Sequence, residues 1–202
     1  MTMIVFILLA YLLGSIPFAV VTSWTFGLPD PRTFGSKNPG ATNILRSGNK
    51  VAAILTFLGD AGKGWIAVAL AQHFAPIWGL DSDAVIVVAL AVFLGHLWPV
   101  FLHFKGGRGV ATAVGVMIGL NPWTGLLAVV TWIVVAAIWR ISSLSALAAA
   151  LIAPVYASIF LGFGASTLVI FIMSVLIFWR HKSNITNLIS GKEARFGKSG
   201  TP

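Results

Sequence analysis

The chain of 202 residues contains no cysteine and very little charge. Without cysteine there can be no disulfide bond, no thiolate metal site and no cysteine nucleophile. Charged residues make up only 9% of the sequence, whereas hydrophobic residues make up 58% and the mean hydropathy is +0.96. A soluble domain of this length carries far more charge. The shortage of charge and the long apolar runs predict a protein that crosses a membrane several times.

Acidic residues are especially scarce: Asp and Glu number 5 against 13 Lys and Arg, so the formal net charge is +8. The basic residues lie in short stretches between apolar segments, which is the pattern of membrane loops and not of a nucleic-acid-binding surface. We therefore expect a lipid bilayer, and no nucleic acid, as a partner. The N-terminal apolar run follows no basic region and is longer than a signal peptide's core, so we interpret it as an uncleaved span.

The apolar segments predict an all-α, polytopic membrane protein with seven transmembrane helices in one membrane-embedded domain, residues 1–202. Pro17 is expected to kink the first span, and a short helix is expected near 41–47 within the polar segment 25–50. The connection between the second and third spans is expected at 72–83. The predicted spans lie near 3–24, 51–71, 84–104, 110–120, 122–139, 144–162 and 165–179.

Segment 110–139 has two interpretations: one long kinked helix, or two spans that turn at Asn121-Pro122. The positive-inside rule favours the split, because the basic loops and the basic tail then share the cytoplasmic side. Asp81 and Asp83 lie on the other side, the N-terminus is outside and the C-terminus is cytoplasmic. The fourth span, about 17 Å of helix, then needs a locally thin bilayer or neighbours that shield its ends.

The loop after the third span is Lys105-Gly106-Gly107-Arg108-Gly109, with three glycines between and beside two cations. Glycine allows the backbone to approach a ligand closely. Bare N–H groups at the start of a following helix bind anions. We therefore interpret the loop as a phosphate-binding site, although a basic loop that only fixes topology is the alternative. The G-x-x-x-x-G-K-[ST] spacing of nucleotide-binding loops is absent.

The polar segment 35–46 concentrates hydrogen-bonding groups ahead of an arginine. Arg46 offers a planar guanidinium that suits phosphate. The alternative is an ordinary loop, since Asn, Ser, Pro and Gly are also turn residues. The candidate residues of this segment are Ser36, Asn38, Gly40, Thr42 and Asn43.

A third polar cluster follows the last predicted span. His181 and Asn184 share a face if that helix continues, and His181 is a candidate general base or phosphate donor. The alternative is a basic anchor at the end of a span. Ser142 and Ser143 open the sixth span and either cap its helix or donate to the same anion.

Three polar residues lie inside predicted spans. Asp60 and Lys63 are three residues apart and can pair on one helix face. Charges inside a membrane are costly and are therefore candidates for function, with mutual neutralisation as the structural alternative. We interpret His96 in the third span as a hydrogen-bonded core histidine.

These motifs together resemble those of the bacterial acyl-phosphate:glycerol-3-phosphate acyltransferases, the PlsY family. Asp60-x-x-Lys63-Gly64 and Gly95-His96 resemble further family positions. The sequence departs from the family at Arg108, where lysine is common, and at Lys37 and Pro39, where smaller residues are frequent. The three matching motifs are Gly35-Ser36-x-Asn38-x-Gly40-x-x-Asn43-x-x-Arg46, Lys105-Gly106-Gly107-Arg108-Gly109-Val110-Ala111-Thr112, and His181-x-x-Asn184 with Gly191-x-Glu193.

The resemblance implies transfer of a fatty acyl group from acyl phosphate to the sn-1 hydroxyl of glycerol 3-phosphate. The products are lysophosphatidic acid and phosphate, in the first step of phospholipid synthesis, and no cofactor or metal ion is expected. The catalytic residues are assigned as Ser36, Arg46, His181 and Asn184. Substrate binding is assigned to Asn38, Gly40, Thr42, Asn43, Lys63, Lys105, Gly106, Gly107, Arg108, Gly109, Ser142 and Ser143. Structural roles are assigned to Asp60 and Glu193.

The expected location is the bacterial inner membrane, with the active site on the cytoplasmic side. A monomer is expected, and the resemblance implies a soluble partner enzyme that produces acyl phosphate. A transporter of phosphorylated anions is the alternative function. A transporter would place polar residues along a path through the membrane, whereas only Asp60, Lys63 and His96 lie deep in the predicted spans. A purely structural membrane protein would not need three donor-rich clusters.

Overall fold

The computed structural model describes residues 1–196, and every regular element in this range is helical. The chain divides into two compact units, Met1–Leu120 and Asn121–Pro202. The first unit contains α1 (Thr2–Ser15), α2 (Phe18–Thr25), α3 (Ala41–Leu45), α4 (Lys50–Ile77), α5 (Asp83–Leu97), a 3₁₀ turn (Val100–Leu102) and α6 (Val110–Leu120). The second unit contains α7 (Pro122–Trp139), α8 (Ser142–Leu161), α9 (Ala165–Arg180) and α10 (Lys182–Ile189).

Four helical segments are long and apolar enough to cross a membrane: α4, α5 with its 3₁₀ extension, α7 and α8. Two bent pairs qualify if each is one span, with α1 and α2 at 41° and α9 and α10 at 61°. The remaining apolar helix, α6, has 11 residues. The predicted all-helical membrane fold is confirmed, and how many of these segments cross the bilayer stays a prediction.

Two breaks predicted from proline are confirmed. The first bent pair is interrupted at Ile16-Pro17, between α1 and α2. The second break separates α6 from α7 at Asn121-Pro122. There the Asn121 Oδ1 accepts hydrogen bonds from the N–H groups of Trp123 (3.0 Å) and Thr124 (3.2 Å). Asparagine at the N-cap with proline at the next position is a strong helix start, so segment 110–139 is two helices.

The second predicted span, 51–71, was too short. Helix α4 begins at Lys50, where Asn49 Oδ1 accepts from the Ala52 N–H at 2.9 Å, and it continues to Ile77. The predicted connection 72–83 is therefore mostly helical. The glycine-rich stretch 59–64 does not interrupt the helix, and within it Asp60 and Lys63 form an ion pair three residues apart.

Glycines allow the helices of the first unit to pack backbone against backbone. Helix α1 packs against α5, and α4 packs against α6. Small residues at such crossings let membrane helices approach closely. A Cβ atom would overlap a main-chain carbonyl group of the facing helix at Gly14, Gly64, Gly95 and Gly115.

In the second unit, the last described residue contacts the turn between α7 and α8. The Phe196 N–H donates to the Arg140 carbonyl at 2.7 Å. The Phe196 ring lies edge-on to Trp132, with ring centroids 6.2 Å apart. These contacts hold the chain after α10 near the start of α8, which is where Glu193 finds its partners.

Candidate active site

Asn43 organises the polar loop that contains Ser36. Its side chain is 1% exposed. The amide nitrogen donates to the carbonyls of Pro31 (2.7 Å) and Phe34 (3.2 Å), and Oδ1 accepts the Ser36 N–H at 2.9 Å. Asn43 was expected to bind substrate, but its amide hydrogens and its oxygen are used within the loop. The structure therefore gives it the role of fixing the backbone of Ser36.

Gly35 lies against the side chain of Arg46. Gly35 has φ +56°, a conformation that favours glycine, and a Cβ there would overlap Asn43 Oδ1. The same Cβ would be 3.3 Å from Arg46 Cδ, so the arginine side chain passes over Gly35. Ser36 is half-buried and Arg46 is exposed. The aliphatic part of Arg46 thus lies against Gly35, the residue before Ser36, whose backbone N–H is held by Asn43.

Arg32, the other arginine of the polar segment, is engaged by Asp30. Its Nη2 is 2.6 Å from Asp30 Oδ2, and its Nε donates to both carboxylate oxygens. The side-chain hydrogen bonds from Arg32 lower the pKa of the Asp30 carboxyl. Arg32 is therefore held by a charged partner at the surface, which leaves Arg46 as the better candidate for a substrate phosphate.

Two N–H groups of the glycine loop bond to the end of α5. The Gly106 N–H donates to the Leu97 carbonyl at 3.2 Å, and the Gly107 N–H donates to the His96 carbonyl at 3.2 Å. The prediction of bare N–H groups is therefore wrong for these two glycines. The physical reason is that the last turn of a helix has carbonyls without partners inside the helix, and the loop supplies donors to them.

The three glycines of this loop are needed because it packs directly on α5. A Cβ at Gly106 or Gly107 would overlap the main chain or side chain of His96. Gly109 has φ +90°, and a Cβ there would contact the Phe93 ring. What the loop offers an anion is the exposed Lys105 together with the N–H groups of the first turn of α6.

Lys63, which was expected to bind substrate, is enclosed by groups of the protein. It is 2% exposed, and its Nζ lies 2.8 Å from Asp60 Oδ1 and donates to the Ile16 carbonyl at 2.8 Å. The predicted pairing of Asp60 with Lys63 is confirmed. His96 is also buried, with Nδ1 3.4 Å from Asp60 Oδ1. These contacts favour a structural role for Lys63 over a substrate contact.

In the second unit, Glu193 joins α8 to α10. Its Oε1 accepts hydrogen bonds from Ser143 Oγ at 2.6 Å and from Asn184 Nδ2 at 2.7 Å. The N-cap residue of α8 is Ile141, which forms no side-chain cap, and neither Ser142 nor Ser143 occupies that position. Instead, the charged carboxylate fixes the Ser143 hydroxyl and the Asn184 amide.

His181 and Asn184 do not share one continuous helix, as α9 ends at Arg180 and α10 begins at Lys182. His181 lies in the bend, is 2% exposed, and has Nδ1 2.8 Å from the Ile177 carbonyl. A carbonyl only accepts, so Nδ1 carries the hydrogen and Nε2 is the basic nitrogen of the neutral ring. Asn184 Oδ1 is buried and has no hydrogen-bond partner among residues 1–196.

Replacing Glu193 by alanine is expected to destabilise the second unit. The Ser143 hydroxyl and the Asn184 amide would each lose an acceptor, at about 1–3 kcal/mol for each buried group. Glu193→Gln keeps one acceptor oxygen and should lose less. Thermal unfolding in detergent measures both changes, with the exposed neighbour Lys192→Ala as the control. Equal melting temperatures for Glu193→Ala and the control would contradict this role.

Comparison with known proteins identifies the family. A family model described as glycerol-3-phosphate acyltransferase matches residues 4–191. A glycerol-3-phosphate acyltransferase from Nitrosospira multiformis is 65% identical over 201 residues, covering 100% of both chains. Its counterpart from Nitrosomonas europaea is 59% identical over 199 residues, covering 98% of this chain and 100% of the relative.

Two solved structures have the same fold. One is the crystal structure of PlsY, an integral membrane glycerol 3-phosphate acyltransferase, in its glycerol 3-phosphate form: the TM-score is 0.89, the identity 36%, and the match covers 98% of this chain and 96% of that chain. The lysophosphatidic acid form matches with a TM-score of 0.87 at 35% identity, with the same coverage.

The chain is therefore an integral membrane acyltransferase with an all-helical fold. Within that class, it belongs to the glycerol-3-phosphate acyltransferase family, PlsY. The resemblance stated from the three motifs is confirmed, and family membership favours the acyltransferase over the transporter alternative.

Proposed function

We propose that the protein transfers a fatty acyl group from acyl phosphate to the sn-1 hydroxyl of glycerol 3-phosphate. The observation that carries the proposal is the presence of two separate cationic segments in the first unit, the Ser36–Arg46 loop and the glycine loop with Lys105. Each of the two substrates carries a phosphate, so two anion sites are required. The solved relatives, described in glycerol 3-phosphate and lysophosphatidic acid forms, support this acceptor and this product.

The proposed reaction is direct attack on an activated donor. The acceptor hydroxyl oxygen bonds to the acyl carbon, the bond between that carbon and the phosphate oxygen breaks, and the hydroxyl proton ends on the phosphate, which leaves as hydrogen phosphate. Acyl phosphate is a mixed anhydride with a good leaving group, so no protein nucleophile is required. The remaining work is orientation and stabilisation of charge, which the Arg46 guanidinium and the Ser36 hydroxyl can supply on a fixed loop.

The other site residues take roles that follow their geometry. Lys105, exposed beside the α6 N-terminus, holds the phosphate of glycerol 3-phosphate. In the second unit, His181 and Asn184 keep the catalytic assignment that the family resemblance implies, and Glu193 Oε1 holds the Asn184 amide in place.

The donor is tested with purified protein, radiolabelled glycerol 3-phosphate and three alternative acyl donors. Palmitoyl phosphate should yield labelled lysophosphatidic acid, whereas palmitoyl-CoA and palmitoyl-acyl carrier protein should not. The position of the acyl group on the product is read by nuclear magnetic resonance, and we expect it at sn-1. Comparable rates with palmitoyl-CoA would overturn the donor assignment. A soluble enzyme that produces acyl phosphate is the partner that this donor implies.

We further propose seven spans in the bacterial inner membrane, with the N-terminus outside and the active site cytoplasmic. The absence of cysteine makes single-cysteine labelling clean. In intact cells, cysteines at Lys50 and Lys105 should resist a membrane-impermeant thiol reagent, and one at Asp81 should react. A cysteine at Lys198, which lies outside the described residues, should also resist. Labelling at 198 with protection at 50 would mean that 110–139 crosses as one span.

A further inference from the structure

A buried ion pair ties α4 to the break between α1 and α2. Asp60 and Lys63 are 3% and 2% exposed, and their charged atoms are 2.8 Å apart. The Lys63 ammonium also donates to the Ile16 carbonyl and lies 5.8 Å from the centre of the Phe18 ring. Removing one partner of a buried pair leaves an uncompensated charge, so these two side chains must be kept together or replaced together.

His96 extends the ion pair to the glycine loop. Its Nδ1 is 3.4 Å from Asp60 Oδ1. The opposite edge of the ring faces Gly107, where a Cβ would overlap Nε2 and approach the adjacent ring carbons. The His96 carbonyl accepts the Gly107 N–H at 3.2 Å. One residue therefore contacts Asp60 on one side and the loop on the other, through both its ring and its main chain.

Helix packing alone does not require this arrangement. Buried polar groups cost more than apolar side chains of the same size unless every partner is present. The helices of this unit already pack through glycines that contact facing carbonyl groups. A carboxylate close to an imidazole nitrogen favours one orientation of the ring. Here His96 Nδ1 lies 3.4 Å from Asp60 Oδ1, and the opposite edge of the ring forms the surface that Gly107 contacts.

We propose that Asp60, Lys63 and His96 are positioning residues that set the place of the glycine loop and, through it, the affinity for glycerol 3-phosphate. The inference rests on the proposed assignment of that substrate to the loop. The ion pair orients His96. The His96 ring and carbonyl then fix the position of Gly107 and, through the chain, of Lys105 two residues earlier. In this proposal the three side chains act through the position of the loop and need no contact with the substrate.

The test compares Asp60→Asn and His96→Gln with the exposed matched controls Asp83→Asn and His73→Gln. Binding of radiolabelled glycerol 3-phosphate is measured first, without an acyl donor, on purified protein in detergent. We expect binding to weaken about tenfold or more in Asp60→Asn and His96→Gln. The controls should bind as the wild type does.

Kinetics separate positioning from folding. In Asp60→Asn and His96→Gln the KM for glycerol 3-phosphate should rise together with its dissociation constant. The KM for palmitoyl phosphate should change less than about twofold. If Asp60, Lys63 and His96 only stabilised the fold, the variants would give less active protein and lower melting temperatures. Their KM values for both substrates, and the dissociation constant of glycerol 3-phosphate, would then be unchanged. That result would overturn the proposal.

A double variant keeps the test decisive if Asp60→Asn folds poorly. Asp60→Leu with Lys63→Met removes both charges, so it should melt at a higher temperature than Asp60→Asn, which leaves the lysine unpaired. It should still bind glycerol 3-phosphate weakly, because His96 has lost its carboxylate. Wild-type affinity in this double variant would mean that only charge balance matters and would refute the proposed positioning.

Failure of the donor assignment is distinguishable, because the binding measurement contains no donor. Wild-type binding without transfer from palmitoyl phosphate would refute acyl phosphate as donor and leave the inference standing. Binding of glycerol 3-phosphate that is insensitive to Lys105→Ala would refute the assignment of this substrate to the loop, and the inference with it.

Discussion

Ser36→Ala is expected to lower the rate of acyl transfer about 30- to 1,000-fold, since one hydrogen bond to a reacting phosphate in a dry site contributes about 2–4 kcal/mol. The Ser36 backbone is held by Asn43 Oδ1 and not by the hydroxyl, so the loop should keep its conformation. The control is Ser47→Ala, an exposed serine just after α3 whose hydroxyl donates to the Ile44 carbonyl at 2.7 Å. Steady-state kinetics should show near wild-type rates for the control.

The same variant bears on whether Ser36 is a nucleophile. Direct transfer predicts that no acyl-enzyme accumulates when glycerol 3-phosphate is withheld. The protein is incubated with acyl phosphate labelled in the acyl chain, denatured and digested, and the peptide that contains Ser36 is examined for label and added mass. A stoichiometric adduct on that peptide, absent in Ser36→Ala, would replace direct transfer by a covalent mechanism.

The helix boundaries set by local rules could be predicted from the sequence. Pro17 and the Asn121-Pro122 pair act on the backbone within one turn of themselves, and both breaks occur where they were expected. The length of α4 could not be predicted in the same way. The stretch 59–64 has the glycine content of a loop, yet it is helical and is held by contacts with other elements: Lys63 bonds to the Ile16 carbonyl and Gly64 packs against α6.

The parts of the site that depend on contacts between residues far apart in the chain could not be predicted from the sequence. In a sequence, a glycine looks the same whether its backbone approaches a ligand or packs on another helix. For this reason Gly106 and Gly107 were assigned to anion binding. The structure shows their N–H groups bonded to α5. The internal hydrogen bonds of Asn43 could not be predicted for a similar reason: nothing local indicates that its amide turns inward to Pro31 and Phe34.

Gly64→Ala is expected to destabilise the first unit strongly, whereas Gly62→Ala two residues earlier should not. A Cβ at Gly64 would overlap the Thr112 carbonyl oxygen and lie 3.0 Å from the Val116 nitrogen, both main-chain atoms of α6. The backbone cannot yield as a flexible side chain does, so the helices must separate, at about 1–3 kcal/mol or more. At Gly62 a Cβ meets nothing within 4 Å among the described residues.

The two variants give opposite signs because alanine favours a helix by about 0.5–1 kcal/mol over glycine. Gly62→Ala should therefore melt at or above the wild-type temperature in detergent, and Gly64→Ala well below it. Helix α6 directly follows the glycine loop, so separating α6 from α4 should also displace the loop. The folded fraction of Gly64→Ala should therefore bind glycerol 3-phosphate more weakly than the wild type does. Equal melting temperatures for the two variants would show that α4 and α6 do not meet at Gly64, and would remove the packing argument for the short helix α6.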